Sequence, residues 1–561
     1  MVIDNYYIAD QFSLLSKLMD IHGENSFKSK TYAVAAFNIE KLTAQLSEIP
    51  GEKIFTLKGI GDSVGKKIQE ILKEGHLRAL EEYVQKTPPG LLEMLSIKGL
   101  GPKKIATIWK EMEIETIGEL LYACHENRLA RFKGFGEKTQ KNVEDSITFF
   151  LKSQGSHLYA EIESYAWSMD TLIKKAFPSY QFEMTGTFRR QMEIIDNLEW
   201  VTTVPIEDLQ SYFEKNNYQV EESLASLISF KGNEHILIQF YTVPANQLPL
   251  KLFETSCGEE FLEAWNKEVV TKTSEAPASE EKIFSAAGLR FIPPCMREQA
   301  MVIEHAKKKD FATLIQPEDI KGIIHNHSTW SDGSHTIEAM AQGCISKGYE
   351  YLVISDHSKS AFYAKGLLEE QIQAQHQQIN ELNKELKPFK IFKSIECDIL
   401  NDGSLDYPDK ILSTFDLVIT SIHSNLKMSE EKAMLRLLNA ISNPYTTILG
   451  HMTGRLLLSR PGYPVDYKKI IDACFSNNVT IEINANPRRL DMDWRWIEYA
   501  LEKGVLLSID PDAHSIEEFE LCKYGVLVAQ KGGLPKEKNL SSFSLQEFEG
   551  FLEKRREIKK V

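Results

Sequence analysis

Over the first 150 residues apolar positions recur at three- and four-residue spacing, broken by short glycine-containing turns; this pattern predicts helices. Between 155 and 300 the pattern mixes, and strand-like runs at 181–187, 198–204 and 235–243 predict an α/β region. The stretch 271–283 is polar and rich in Ala, Ser and Pro, which predicts a loop or linker. From about 320 onward short apolar runs begin near Gly322, Tyr351, Ile391, Leu417, Thr446, Thr480 and Val505 and alternate with helical patterns. That rhythm is the one of βα units in a parallel sheet or barrel. The chain has 561 residues, enough for about three to five domains. The pattern divides it into 1–85, 86–150, 151–300, a linker at 301–320, and 321–561.

One short motif occurs three times in the helical part: Leu57-Lys58-Gly59-Ile60-Gly61, Ile97-Lys98-Gly99-Leu100-Gly101 and Phe132-Lys133-Gly134-Phe135-Gly136. Each opens a helix with lysines near its start, Lys66 and Lys67 in the first, Lys103 and Lys104 in the second, Lys138 in the third. Paired glycines let backbone pass close to a phosphate, and free N–H groups at a helix start donate to it. Lysines at that end oppose the helix dipole, a cost that an anion between them removes. Residues 98–112 sum to +3 and 128–141 to +4. A plain helix-turn-helix with a solvated basic face accounts for one such copy; three copies favour sequence-independent binding of DNA backbone by Gly59, Gly61, Gly99, Gly101, Gly134, Gly136 and the lysines. The pattern resembles the helix-hairpin-helix motif, and its placement resembles the N-terminal part of bacterial family X DNA polymerases.

The whole-chain charge, 65 basic against 80 acidic residues or −15, argues against a nucleic-acid partner when taken as an average. Acidic metal ligands contribute to that sum and are neutralised by the ions they hold. The seven cysteines are scattered and none forms a C-x-x-C pair, so neither a disulfide framework nor a thiolate zinc site is indicated. No apolar run is long enough for a membrane span and no signal peptide is visible; a cytoplasmic protein with no membrane partner is expected.

The ends of the late apolar runs carry the chemistry. They finish in His325-Asn326-His327, Asp356-His357, Glu396, His423, His451 and Asp512-Ala513-His514, with Asp332 in the first loop. Alternate residues share one face of a strand, and the C-terminal strand ends of a barrel converge on one side. Six of the eight histidines after residue 320 sit at such ends; His335 and His376 lie in helical patterns. A lone histidine is ordinarily a surface or core residue, but nine N/O donors segregated in this way predict two or three divalent ions. The mixed set suits Mn, Zn or Fe better than Mg or Ca. Such ions activate water and clamp the oxygens of a phosphoryl displacement.

These residues resemble the PHP domain, through His-x-His, Ser-Asp-Gly, Ser355-Asp356-His357-Ser358, Glu396, Ser421-Ile422-His423-Ser424, Gly450-His451-Met452-Thr453-Gly454-Arg455, 482–487 and Asp512-Ala513-His514-Ser515. The resemblance implies a distorted (β/α)7 barrel. It implies one ion on His325, His327, Glu396 and Asp512, a second bridged by Glu396 to His423 and His451, and a third on Asp332, His357 and His514. Glu396 and Arg455 are its implied catalytic residues, Arg455 meeting a substrate phosphate; a salt bridge on the barrel rim is the other reading of Arg455.

Hairpins, an α/β middle and a C-terminal PHP domain together resemble bacterial family X DNA polymerases along nearly the whole chain. The fold class expected is multidomain: helical hairpin domains, a fingers-like second helical domain, a mixed α/β palm/thumb-like region and the PHP barrel. The family's palm turn fits at Gly186-Thr187-Phe188-Arg189-Arg190, with Gly186, Thr187 and Arg190 as vestigial nucleotide contacts. The three acids that hold magnesium for nucleotidyl transfer do not fit: their positions read Asn197, Glu199 and Gln239. Magnesium is therefore expected only at a residual site that Asp196, Glu193 or Glu199 would have to rescue. Lys67 stands where some members form a Schiff base; a phosphate contact is its other reading.

The expected activity is DNA repair by metal-dependent phosphodiester hydrolysis at a 3′ end, with cleavage at abasic sites as an extension and polymerisation weak or absent. The alternatives are a working gap-filling polymerase with an editing domain, a histidinol-phosphatase-like phosphoesterase, and a non-catalytic DNA-binding protein. Nucleotides are a further candidate partner; oligomeric state is not legible.

Overall fold

In the computed structural model, residues 3–42, 44–97, 99–152, 155–231, 236–269, 277–308, 311 and 314–558 are described. Lys98, His235 and the 271–276 part of the expected linker lie outside them. The chain divides into two units, 1–149 and 150–561.

The first unit is helical. Its long helices Asn5–His22 and Ser26–Glu40 are capped by Asp4 and Asn25, whose side chains accept from Tyr7 N and Phe27 N. The three repeats become turns leading into helices Asp62–Glu74, Pro102–Lys110 and Glu137–Lys152. In each turn the apolar residue between the glycines (Ile60, Leu100, Phe135) is buried and the glycines are exposed. The first glycine of each pair is left-handed: Gly59 at φ +80°, Gly99 at +93°, Gly134 at +94°, a conformation that costs a side chain free energy.

The second unit begins with a five-stranded mixed sheet. In spatial order its strands are Phe182–Thr185, Asn197–Thr202, Leu237–Thr242, Leu227–Lys231 and Gln219–Leu224. Asn197–Thr202 runs parallel to Leu237–Thr242, and the other neighbours are antiparallel. Trp200, Phe213, Phe230 and Phe240 fill its core. The run expected as strand at 181–187 stops at Thr185, because Gly186 turns left-handed (φ +68°) and opens the helical turn Gly186–Arg189. Two segments expected as linker carry helices, Glu280–Ala286 and Met301–His305. Each buries apolar residues (Ile283, Phe284, Val302, Ile303) in a second small core with Phe253, Phe261 and Trp265.

Strands Gly322–Ile323, Tyr351–Ile354 and Lys390–Lys393 form one parallel sheet, and Glu396–Asp398, Ile419–Ser421, Ile448–Leu449, Thr480–Asn484 and Leu507–Asp510 a second. Parallel bridges join them at both seams, His357↔Glu396 and Asn326↔Ala513. With 390–398 as one broken strand, the described residues make a closed seven-stranded barrel. Its strands are apolar on both faces, as buried parallel strands must be: Tyr351 and Val353 pack in one cluster, Leu352 and Ile354 in another. The helix Leu545–Ile558 seals the end where the strands begin. Phe548 stacks on Tyr351 at 4.5 Å, and Arg555 donates to the carbonyls of Thr446 and Asn478. The opposite end is left for a site.

Acid–base pairs tie the mixed sheet and its helices to the barrel: Glu161–Arg488 (2.8 Å), Glu163–Lys523 (2.8 Å), Glu193–Arg455 (2.5 Å) and Glu298–Lys531 (3.3 Å). Among the described residues no helix is long and apolar enough to cross a membrane.

His376, on the helix Glu369–Glu385, lies edge-on to Phe415 at 4.9 Å, and its Nε2 has no hydrogen-bond partner among the described residues. Burial and then Lys393 push its pKa down to about 4, against about 6.5 unfolded. Between those values only the unfolded chain takes up the proton, so folded stability falls as pH falls from about 6.5 to 4. His376→Leu is expected to lose less thermal stability than the parent over that interval, read as the difference between their Tm–pH curves.

Candidate metal centre and nucleic-acid interface

All nine predicted ligands meet at the open end of the barrel. Glu396 is the hub. Its Oε1 lies 3.3 Å from His325 Nε2, 3.1 Å from His423 Nε2 and 3.0 Å from His451 Nε2. Its Oε2 lies 2.9 Å from His357 Nδ1 and 3.7 Å from His327 Nε2. Asp512 Oδ1 is 3.1 Å from His327 Nε2 and 3.4 Å from His325 Nε2. Asp332 is 3.5 Å from His357 and 3.6 Å from His514. Ligand atoms lie within 4.8 Å of one another in four overlapping groups: His327-Asp332-His357-His514, His325-His327-Asp512, His325-Glu396-His451 and His357-Glu396-His423. The grouping differs from the implied one: His327 also reaches the Asp332 group, His325 also groups with Glu396 and His451, and His357 also groups with Glu396 and His423.

The backbone is bent to bring these side chains together. His325 (φ +56°), His451 (+40°) and Asp512 (+54°) occupy the left-handed region, which costs a non-glycine residue about 1–3 kcal/mol. Strain retained at three ligands marks a site the surrounding fold enforces.

A further ring of buried acids and amides orients the ligands. Glu482 Oε2 pairs with His325 Nδ1 at 2.6 Å, and Asp398 Oδ1 with His423 Nδ1 at 2.5 Å. Asn484 donates to Glu482 (2.7 Å) and Asp512 (3.1 Å). Asp356 accepts from Ser328 N (2.8 Å), Ser328 Oγ (2.7 Å), Ser331 N (3.1 Å), Ser331 Oγ (2.5 Å) and Gln375 Nε2 (2.7 Å), which fixes the loop carrying Asp332. Sequence reasoning assigned none of these four a role. The signal was present as polar residues at alternate positions of apolar strands, the acids Glu396-x-Asp398 and the acid–amide pair Glu482-x-Asn484.

Burial and charge compete throughout. Although burial opposes it, Glu482, Asp512 and Glu396 hold the His325 imidazole well above its ordinary pKa. Glu396 and Asp398 likewise outweigh burial and raise His423 to about 10. His327 is pushed down to about 4 by burial and by His357 and His514. Against burial, His357 and His514 hold Asp332 far below the usual carboxylate range, and His423 and His325 do the same for Glu396.

Whether the residues fit divalent ions is decided by what the protein leaves unsatisfied. His325 Nε2, His327 Nδ1, Asp332 Oδ2, His357 Nδ1, Glu396 Oε2 and His451 Nδ1 are buried with no hydrogen-bond partner among the described residues. Buried polar atoms are ordinarily paired, so this many converging orphans of imidazole and carboxylate type fit ligands of divalent ions. Lone structural ions take closed four-ligand shells; nine donors in four overlapping groups do not form one.

Arg455, expected to meet a phosphate or to form a salt bridge on the barrel rim, is engaged within the protein. Its guanidinium is buried and donates to Glu193 (2.5 Å), Asp493 (2.9 Å), Arg489 O (2.9 Å) and Leu490 O. Through Glu193 the residue ties the His451 loop to the segment before Ile194–Ile195.

The palm positions are similarly occupied from within. Glu199 lies between Thr185 and Gln239 in the sheet. Its carboxylate accepts from Tyr241 Oη (3.0 Å) and Thr187 N (3.3 Å), and a Cβ at Gly186 would fall 1.6 Å from it. Burial raises the Glu199 pKa, against the Tyr241 hydrogen bond. Gln239 donates to Tyr241 Oη at 2.6 Å. Arg190 is bound to Glu298 (2.8 Å) and Arg189 to Glu280 (2.5 Å), so the turn expected to bind triphosphate has its guanidinium groups neutralised. Asp196 accepts from Ser156 Oγ at 2.6 Å.

In the first unit a Cβ at Gly61, Gly101 or Gly136 would meet nothing within 4 Å among the described residues, and φ is ordinary there. Internal packing therefore does not require glycine at these three positions. Gly61 and Gly101 cap their helices with no side-chain hydrogen bond, leaving the first-turn N–H groups open. Lys66, Lys103 and Lys138 are exposed and Lys67 is half-buried.

Comparison with known proteins agrees with this layout. Residues 3–77 match a helix-hairpin-helix domain, 91–143 a SAM-like helix-hairpin-helix tandem, and 324–486 a PHP domain. The DNA polymerase/3′-5′ exonuclease PolX of Bacillus subtilis (strain 168) is 33% identical over 96% of this chain and 97% of its own length. The chain belongs to the bacterial PolX family, the family X DNA polymerases with a C-terminal PHP domain. Probable phosphatases match the PHP part alone: one from Thermoanaerobacter sp. (strain X514) is 26% identical over 42% of this chain and 95% of its own length. One from Vibrio parahaemolyticus is 28% identical over 42% and 94%.

Two outcomes are expected. Glu482→Gln, which loosens the outer partner of His325, weakens Mn²⁺ or Zn²⁺ uptake by metal-depleted protein about 10–100-fold, and Glu396→Gln weakens it more, as measured by calorimetric titration. Gly101→Val costs at most about 1 kcal/mol of stability yet weakens duplex-DNA binding, while Lys103→Ala lowers the slope of log K against log salt by about one.

Proposed function

We propose that this chain is a DNA-repair nuclease of the PolX type: a metal-dependent phosphoesterase that hydrolyses phosphodiesters from a 3′ end, with abasic-site cleavage within its reach and DNA polymerisation weak or absent. The observation that carries the reading is the convergence of nine N/O donors, Glu396 at their hub, on one end of the barrel, in a chain whose first unit presents three glycine turns to an outside phosphate backbone.

His325, His327, Asp332, His357, Glu396, His423, His451, Asp512 and His514 would hold two or three divalent ions, of which Mn, Zn and Fe suit the donors best. Such ions lower the pKa of water and neutralise charge on a phosphoryl group. The protein's own share is positional. Glu396 links the ligands of both sheets, Glu482 and Asp398 fix the imidazoles of His325 and His423, and Asp356 holds the loop of Asp332. The hairpin turns hold DNA by its backbone, which gives affinity without sequence preference.

The palm supports the second half of the reading. Two magnesium ions need several carboxylates, and Glu199, the acid left at the three family positions, is engaged by Tyr241 and Thr187 N. Conversion to a small-molecule phosphatase would leave the hairpin turns without use.

The test is one assay series: end-labelled single-stranded, gapped and abasic DNA with Mn²⁺, with and without nucleotides, using the parent and His325→Ala. Metal-dependent shortening is expected, abolished by EDTA and reduced about 100-fold or more in the variant, with no extension when nucleotides are added. Primer extension lost on Glu199→Ala would establish the polymerase instead; turnover of a small phosphomonoester without DNA shortening would establish the phosphatase.

A further inference from the structure

The loop 358–368 follows the ligand His357 and borders the metal-ligand cluster. Its base is pinned on every side. Ser358 N donates to Glu396 O (3.0 Å), Ser360 N to Asp406 (2.7 Å), Ser360 Oγ to Asp398 (2.7 Å) and Leu367 N to His357 O (2.8 Å). The Tyr407 hydroxyl accepts from Lys359 N (3.1 Å) and donates to Leu367 O. A Cβ at Gly366 would fall 1.7 Å from Ser358 O, so the two legs of the loop touch.

Ala361 and Ala364 at the tip are fully buried, yet Phe362 between them is 75% exposed. Its ring meets Tyr363 at 5.8 Å and 77°, and Tyr363 meets the His357 ring at 6.4 Å and 61°. Residues 358–368 include Lys359 and Lys365 and no acid.

A single exposed aromatic is ordinary on a protein surface. Three features distinguish this one: a mount held by hydrogen bonds to the site's own strands, a ring-to-ring path ending on a ligand histidine, and Lys365 on the same loop, Lys359 being paired with Glu369 at 3.7 Å. A flat apolar face held in water beside a phosphodiester-cleaving centre matches a nucleobase, and stacking is indifferent to which base it is because every base has a π-face.

We infer that Phe362, backed by Tyr363, is the platform on which the terminal base of a DNA strand stacks while its phosphodiester lies over the metal-ligand cluster. The inference rests on the nuclease reading above and adds to it: it makes the 3′ base, rather than the phosphate alone, part of what the barrel recognises. Lys365 adds charge for the strand's phosphates. Selection of a nucleic-acid end over a small phosphoester then resides in a loop that carries no metal ligand.

The full-length protein tests this with two substrates and one binding probe. With Mn²⁺, Phe362→Ala is expected to lose about tenfold or more in kcat/KM on a single-stranded oligonucleotide. It should keep the parental rate on bis(p-nitrophenyl) phosphate, and Phe362→Trp should retain both. On an oligonucleotide ending in an abasic nucleotide the Phe362→Ala effect should vanish. In EDTA, a 3′-terminal 2-aminopurine should be quenched on binding the parent and remain bright with Phe362→Ala. Equal oligonucleotide cleavage by parent and Phe362→Ala, an equal loss on both substrates, or no quenching by the parent would each overturn the platform while leaving the nuclease standing. A parent that cleaves no DNA but is metal-dependent on the small diester would instead overturn the nuclease reading.

Discussion

The carboxylate of Glu396 is the point on which the barrel's organisation turns. Five imidazoles from four different strand ends crowd its two oxygens. A charge that deeply buried is tolerable only when opposite charge surrounds it. Every strand end must therefore arrive in place together, and the seams between the two barrel sheets lie beside these ligands, at His357↔Glu396 and Asn326↔Ala513. Closing the barrel and assembling the cluster are one event.

The same constraint explains the outer ring. An imidazole that offers one nitrogen inward needs its other nitrogen fixed, or the ring turns away; Glu482 and Asp398 do this for His325 and His423. Asp356 acts on a loop rather than a ring, gathering Ser328, Ser331 and Gln375 so that Asp332 returns to the pocket. The left-handed backbone at His325, His451 and Asp512 is tolerated because these contacts over-determine it.

In the mixed sheet the polar groups near the Gly186 turn are engaged with one another. Glu199 folds onto that turn, Arg189 and Arg190 are paired with Glu280 and Glu298, and Glu193 reaches Arg455 beside the barrel loop of His451. Groups that the resemblance would turn toward a nucleotide serve instead to bind one part of the unit to another. Buried ion pairs are weak evidence of stability but strong constraints on geometry, and here they fix the mixed sheet against the rim of the barrel.

The three hairpin turns, the βα rhythm and the nine ligand candidates are legible in the amino-acid sequence alone. Each is written in local spacing or in residue identity, and local backbone geometry follows from those. It also fixed that Gly186 was available to turn, although not that the strand before it ends at Thr185. The tertiary structure decided which side chains share a partner. Glu482 and Asp398 read only as acids in apolar strands until His325 and His423 stood beside them. Arg455 read equally as a phosphate contact or a rim salt bridge until Glu193, 262 positions away, closed on it. Phe362 had no reading until the pinned loop held it in the open. Pairing between distant residues is set by closure of the barrel, and no periodicity along the chain records it.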